Sequence, residues 1–105
     1  MRRREQGRAR VDFAAVRAAA LARLPDLLAR WLPDGELCGR EWSARNPRRV
    51  DRRPGSMRVN IDTGRWADFA IEGARGGDPI ALAAYLAGCS QIDAARRLAD
   101  MLRLG

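Results

Sequence analysis

Five arginines crowd into nine residues near the middle of this chain: Arg45, Arg48, Arg49, Arg52 and Arg53. Pro47, Pro54 and Gly55 punctuate the same stretch, residues 45–56. Such a charge density repels itself unless it is solvated or paired with anions, and proline withholds the backbone donors that a helix or an inner strand requires. The stretch therefore reads as an exposed loop. Any core must be assembled from what lies before residue 45 and after residue 56.

Before the loop the apolar pattern is helical. Phe13, Val16, Ala20 and Leu24 recur at spacings of three and four, one face of a helix. Pro25 ends or kinks that helix and can open a second, with Leu27, Leu28 and Trp31 as its apolar face. Pro33-Asp34-Gly35 is a stop and turn, and one strand is expected within residues 36–44. After the loop, Met57, Val59 and Ile61 alternate with Arg58, Asn60 and Asp62, the period of a half-buried strand. Asp62-Thr63-Gly64 supplies a turn, and Arg65 to Ile71 the return strand. With a three-residue loop, Val59 faces Ala67 and Met57 faces Phe69 on the core side. Asn60 with Trp66, and Arg58 with Asp68, then share the polar side, and a slip of one residue would invert both faces.

Gly73 to Gly77 reads as a flexible connector, and Asp78-Pro79 as the N-cap and first residue of a helix. Ile80, Ala83, Ala84 and Ala87 form its packed stripe, Leu82 and Leu86 widen it, and Gly88 ends it. Ser90 with Asp93 resembles a capping box for a last helix whose inner face is Ile92, Ala95, Leu98, Ala99 and Leu102. The fold class is thus α+β: a small antiparallel sheet with an N-terminal helix or helix pair and a C-terminal helical hairpin. Residues 1–10 read as a basic flexible arm and 11–105 as one domain, all that 105 residues can support.

All 20 basic residues are arginine, and the formal net charge is +7. Its excess sits in two patches, residues 1–10 and 40–53, each at net +4. Uneven positive charge favours a polyanionic partner, and the planar guanidinium suits phosphate. Histidine is absent, which removes the usual general base near neutral pH, and no carboxylate spacing marks an acid–base pair. Gly73-Ala74-Arg75-Gly76-Gly77 lies between a strand and a helix but lacks the lysine and hydroxyl of a nucleotide-hydrolysing loop. A stand-alone enzyme is not expected. Cys38 and Cys89 stand alone and are expected to be buried and inert, and no cofactor is implied. No apolar run approaches the roughly 20 residues that span a bilayer. The basic start has no apolar stretch behind it, so a cytoplasmic location without membrane association is expected.

The candidate nucleic-acid contacts are Arg45, Arg48, Arg49, Arg52, Arg53, Arg58 and Trp66. Guanidinium groups release condensed counterions from phosphates, and an exposed indole stacks on unpaired bases. Trp42, Trp66 and Phe69 can equally fill a small core. Trp66 is the best candidate for exposure, since the expected hairpin places it on the polar face.

The order of motifs resembles the CHC-type zinc-ribbon domain of bacterial and phage DNA primases. Asn46-Pro47-Arg48-Arg49 stands where that family has Cys-Pro-x-His. Arg53-Pro54-Gly55-Ser56-Met57 resembles the segment entering the next strand, and Trp66-Ala67-Asp68-Phe69-Ala70-Ile71 the aromatic run with the second ligand pair. Gly76-Gly77-Asp78 resembles the family's helix start, and Gly88-Cys89-Ser90 through Leu98 its closing helix. The similarity covers about residues 37–102. The ligand positions become Asn46, Arg49, Asp68 and Ile71; arginine and isoleucine do not bind zinc, so the resemblance implies a metal-free variant. An Arg49–Asp68 ion pair is the expected substitute for the metal.

The resemblance implies an accessory, non-catalytic module in phage, plasmid or mobile-element DNA replication. It would bind DNA, single-stranded by preference, beside a primase or helicase catalytic partner. The alternative reading is a protein-interaction or regulatory module, of the kind a phage encodes, whose arginines meet an acidic protein surface.

Overall fold

The computed structural model describes residues 11–48 and 56–103. The expected basic arm, Arg49, Arg52 and Arg53 lie outside them. Helix α1 (Phe13–Ala22) is started by Asp12, whose carboxylate accepts from the Ala15 amide at 3.0 Å. Arg23 separates it from α2 (Leu24–Trp31), with Pro25 in the first turn, where its missing N–H costs nothing. Helix α3 (Pro79–Ala87) is capped by Asp78, which accepts from Ala81 N at 2.9 Å, and ends at Gly88. Helix α4 (Gln91–Met101) is capped by Ser90, which accepts from Asp93 N at 3.1 Å.

Between the helix pairs runs a five-stranded antiparallel meander in sequential order: β1 (Glu36–Cys38), β2 (Glu41–Ala44), β3 (Met57–Asn60), β4 (Trp66–Asp68) and β5 (Arg75–Gly76). The architecture is α+β, as expected, with four helices among the described residues. Residues 36–44 hold two strands rather than one, because the chain reverses at Gly39-Arg40. Arg40 donates Nε to Asp62 at 2.8 Å and also bonds it through Nη2, tying the β1–β2 turn to the β3–β4 turn. That hydrogen bond holds the Asp62 carboxyl below its ordinary value. Gly73–Gly77 is likewise more than a connector: Arg75 and Gly76 pair with Ala67 and Trp66 as the edge strand β5.

The β3–β4 register corrects the expected one. Asn60 N donates to Arg65 O at 2.8 Å, so the loop holds four residues, 61–64. The Asn60 side chain accepts from the amides of Asp62 and Thr63, an Asx turn that lengthens the reversal. One extra residue flips every side chain of β4. Met57 now faces Asp68 and Val59 faces Trp66 on the buried side, while Arg58 faces Ala67 outside. Trp66 is therefore 5% exposed, not on the polar face, and Phe69 is 74% exposed, not in the core.

Gly64 makes this loop possible. Its φ is +79°, and a Cβ there would stand 2.6 Å from Pro79 Cδ at the start of α3. Gly64→Ala is expected to lose about 2 kcal/mol through backbone strain and that clash, read as a lower urea midpoint at unchanged m-value.

Helix α2 lies between two cores. Leu27 packs with Val16, Ala20, Ile80, Ala95 and Leu98 among the helices. Leu24 and Leu28 pack with Met57, Val59, Trp66 and Leu82 against the inner face of the sheet. Burial of each such leucine contributes about 1.5–3 kcal/mol. Two further expectations change. Ile92 is exposed and Ala94 takes the inner position on α4, and Cys38 is exposed because the outermost strand β1 is covered on neither face.

Candidate nucleic-acid interface

The flipped register assembles an outer sheet face that the sequence did not announce. Cross-strand pairing aligns Ser43, Arg58, Ala67 and Arg75 on β2 to β5. Strand spacing sets the Arg58 and Arg75 backbones about 10 Å apart, with Ala67 midway. Arg65, just before β4, and Phe69, just after it, stand two positions either side of Ala67 and line the same groove. The small Ala67 is thus a floor with arginines at three neighbouring positions and Phe69 at the fourth. These five residues line one open groove of about 690 Å³, with Glu41, Asn60, Gly76 and Gly77 at its margins.

The charges in this groove are unevenly committed. Arg58 Nη1 lies 3.7 Å from Glu41 Oε1. Arg65 and Arg75 have no carboxylate within 4.0 Å among the described residues, unlike Arg17, Arg40, Arg45 and Arg96 elsewhere. Phe69 is held outward because the preceding Asp68 is anchored inward, and its own amide donates to Ser56 O at 2.9 Å. Its ring, 74% exposed beside the arginines, offers a flat apolar surface to a ligand in the groove.

The groove wall is built on tight packing. A Cβ at Gly76 would stand 2.4 Å from Trp66 Nε1, so only glycine lets β5 lie flat on the indole. The indole N–H is buried and has no acceptor among the described residues. The Trp66 ring also meets Tyr85 of α3, their centroids 4.9 Å apart.

Beneath the sheet edge lies a buried polar cluster. Asn46 is 1% exposed and Asp68 2%. Asn46 Nδ2 donates to Asp68 Oδ2 and to the Tyr85 hydroxyl, both at 2.8 Å, while Asn46 Oδ1 accepts from Arg48 N at 2.9 Å. Asp68 Oδ1 accepts from Ala70 N at 2.9 Å. Two of the four positions that the resemblance aligned with zinc ligands, Asn46 and Asp68, therefore touch. The half-buried Ile71 joins them through its amide, which donates to Asp68 O at 3.1 Å. Arg49, and with it the expected Arg49–Asp68 pair, lies outside the described residues. The residues present do not fit zinc: an amide N–H2 pointed into the centre opposes a cation, and isoleucine offers no side-chain donor. Among the described residues no three Cys, His, Asp or Glu side chains gather.

The arginine loop enters the structure only in part. Arg45 is exposed, its Nε 4.0 Å from Asp34 Oδ2. Arg48 is tethered: its guanidinium sits 5.2 Å from the Tyr85 ring centroid, and Nη1 donates to Tyr85 O at 3.0 Å. Trp42 is committed to the core side, with Nε1 donating to Leu32 O at 3.1 Å. Of the expected contacts, the groove brings Arg58 and the largely buried Trp66 together with Arg65, Arg75 and Phe69, three residues not expected among the contacts. Their signal was present: Arg65, Ala67 and Phe69 alternate, and share a face whichever register holds. Deciding that the face was outward required the loop length, for which Asn60 as an Asx-turn residue was the clue.

Among the described residues no helix is long and apolar enough to cross a membrane. Comparisons with family models, with curated proteins and with solved structures found no match.

Proposed function

We propose that this chain is a non-catalytic, nucleic-acid-binding accessory module. It takes DNA, single-stranded by preference, and serves a primase or helicase catalytic partner in replication of phage, plasmid or mobile DNA. One observation supports the binding reading above the others: Arg58, Arg65 and Arg75, distant in the chain or on different strands, line a single groove with an exposed Phe69. Guanidinium groups bind backbone phosphates, and the phenyl ring offers a stacking platform that duplex bases, already stacked, cannot use. The net charge of +7 adds long-range attraction. The replication setting rests on the primase-like order of motifs across residues 37–102.

A protein-interaction role draws on a different surface, the apolar groove of about 430 Å³ between α2, α3 and α4, lined by Trp31, Leu86, Leu98 and Met101. One titration separates the two readings. Fluorescence anisotropy with single- and double-stranded oligonucleotides is expected to give tighter binding to the single strand, weakening steeply between 50 and 200 mM salt, about 10²-fold for four to five phosphate contacts. Absence of oligonucleotide binding at the lower salt would overturn the nucleic-acid reading. Equal affinity for duplex would overturn the single-strand preference.

A further inference from the structure

We infer that the seat above Ala67 is a terminal-phosphate site: it selects a phosphomonoester, with the attached nucleoside's base lying on Phe69. The inference rests on the nucleic-acid reading and sharpens it, from any backbone phosphate to the end of a strand. Charge is the first argument. Three guanidinium groups and the Glu41 carboxylate line the seat, a net of +2. A backbone phosphodiester carries one negative charge, whereas a phosphomonoester carries about −1.5 to −2 at pH 7. The monoester matches the seat, and a diester leaves one cation unmatched.

Geometry is the second argument. The cations do not run along a track, as a groove following a backbone requires. They are rooted around one residue: Arg58 and Arg75 pair with Ala67 from the strands on either side, and Arg65 lies two positions before it in the same groove. Three planar forks rooted around one residue can swing onto an oxygen-rich tetrahedral group, which offers three terminal oxygens as a monoester and two as a diester. At the fourth position is Phe69, two residues after Ala67, a separation that a nucleoside bridges between its phosphate and its base. Gly77, where an added Cβ would meet nothing within 4 Å, leaves the β5 side of the seat open to the rest of the ligand. Arg65 and Arg75 have no carboxylate partner among the described residues, whereas Arg58 is already engaged, with Glu41 among its partners.

The same chemistry could come from a strand end or from a free mononucleotide, and the test distinguishes them. The full chain is titrated with thymidine oligonucleotides bearing a 5′-phosphate, a 3′-phosphate or hydroxyls at both ends, and with thymidine 5′-monophosphate alone. Anisotropy reports the oligonucleotides, and the Ala67 and Gly77 amide shifts in a ¹⁵N spectrum report all four probes. Terminal phosphorylation is expected to tighten binding about tenfold, with the gain lost in Arg65→Ala and Arg75→Ala. Both side chains project from the surface, so these variants should keep the fold. If only the monophosphate binds, with shifts at Ala67 and Gly77, the terminal-phosphate seat stands as a mononucleotide site and the nucleic-acid reading fails. If phosphorylated and hydroxyl-ended strands bind equally, the seat is overturned while nucleic-acid binding survives. If no probe moves those amides, the seat is overturned, and if anisotropy shows no strand binding either, the nucleic-acid reading falls with it.

Discussion

Asp68→Ala is expected to remove about 3 kcal/mol of stability. The carboxylate is 2% exposed and accepts from Asn46 Nδ2 and Ala70 N at 2.8 and 2.9 Å. Alanine leaves the buried Asn46 amide without that acceptor, and an orphaned buried donor costs about 1–3 kcal/mol, while the amide of the exposed Ala70 can turn to water. The loss should lower the melting temperature by well over 10 °C, since each kcal/mol moves a domain of this size by about 4–8 °C. Asp68→Asn, which keeps one acceptor oxygen, should recover part of it. A melt within 2 °C of the parent would show that the cluster does not hold the sheet to α3. The consequence reaches the groove. Asn46 opens the arginine loop, Asp68 ends β4, and Tyr85 lies on α3, so one buried cluster fixes three segments. Because Asp68 points in, Phe69 points out; loosening the first should blur the second and weaken stacking.

Removing the three groove arginines together, Arg58→Ala, Arg65→Ala and Arg75→Ala, is expected to cost about 10²-fold in affinity for single-stranded DNA at 50 mM salt. Each single-strand phosphate contact contributes about 0.7 to the slope of log K against log salt, so three contacts flatten the slope by about 2. Extrapolated from 1 M to 50 mM salt, that slope corresponds to nearly three decades. The Arg58–Glu41 pair, at 3.7 Å, discounts it because one cation is already partly matched. Anisotropy titrations at four salt concentrations would measure both quantities, with circular dichroism to verify the fold. Removing three charges lowers the net charge from +7 to +4, so part of any loss is long-range attraction rather than contact. A control that removes Arg23, Arg30 and Arg103 carries the same charge change at exposed positions off the groove. If it weakens binding equally and flattens the slope equally, the groove is not where the strand sits.

Local chemistry wrote much of the fold into the chain. Asp12, Asp78 and Ser90 cap helices because a short oxygen-bearing side chain can reach the free amides of the first turn, whatever lies around it. Pro25 parts α1 from α2 because it lacks an N–H, and the alternation of Met57 and Val59 with Arg58 marks a strand with one dry side. These are properties of a few adjacent residues, and the sequence determined them. Which side of β4 is dry is different in kind. It depends on a loop of four rather than three residues, on Gly64 lying against Pro79, and on Gly76 lying flat on the Trp66 indole. Each is a contact between distant segments, and a period of two reads the same in either register. For that reason Trp66 and Phe69 exchanged places, and Arg58, Arg65 and Arg75 became a single site only when three strands were laid side by side. The chain by itself set the elements and the excess of cations; the tertiary pairing decided where those cations meet.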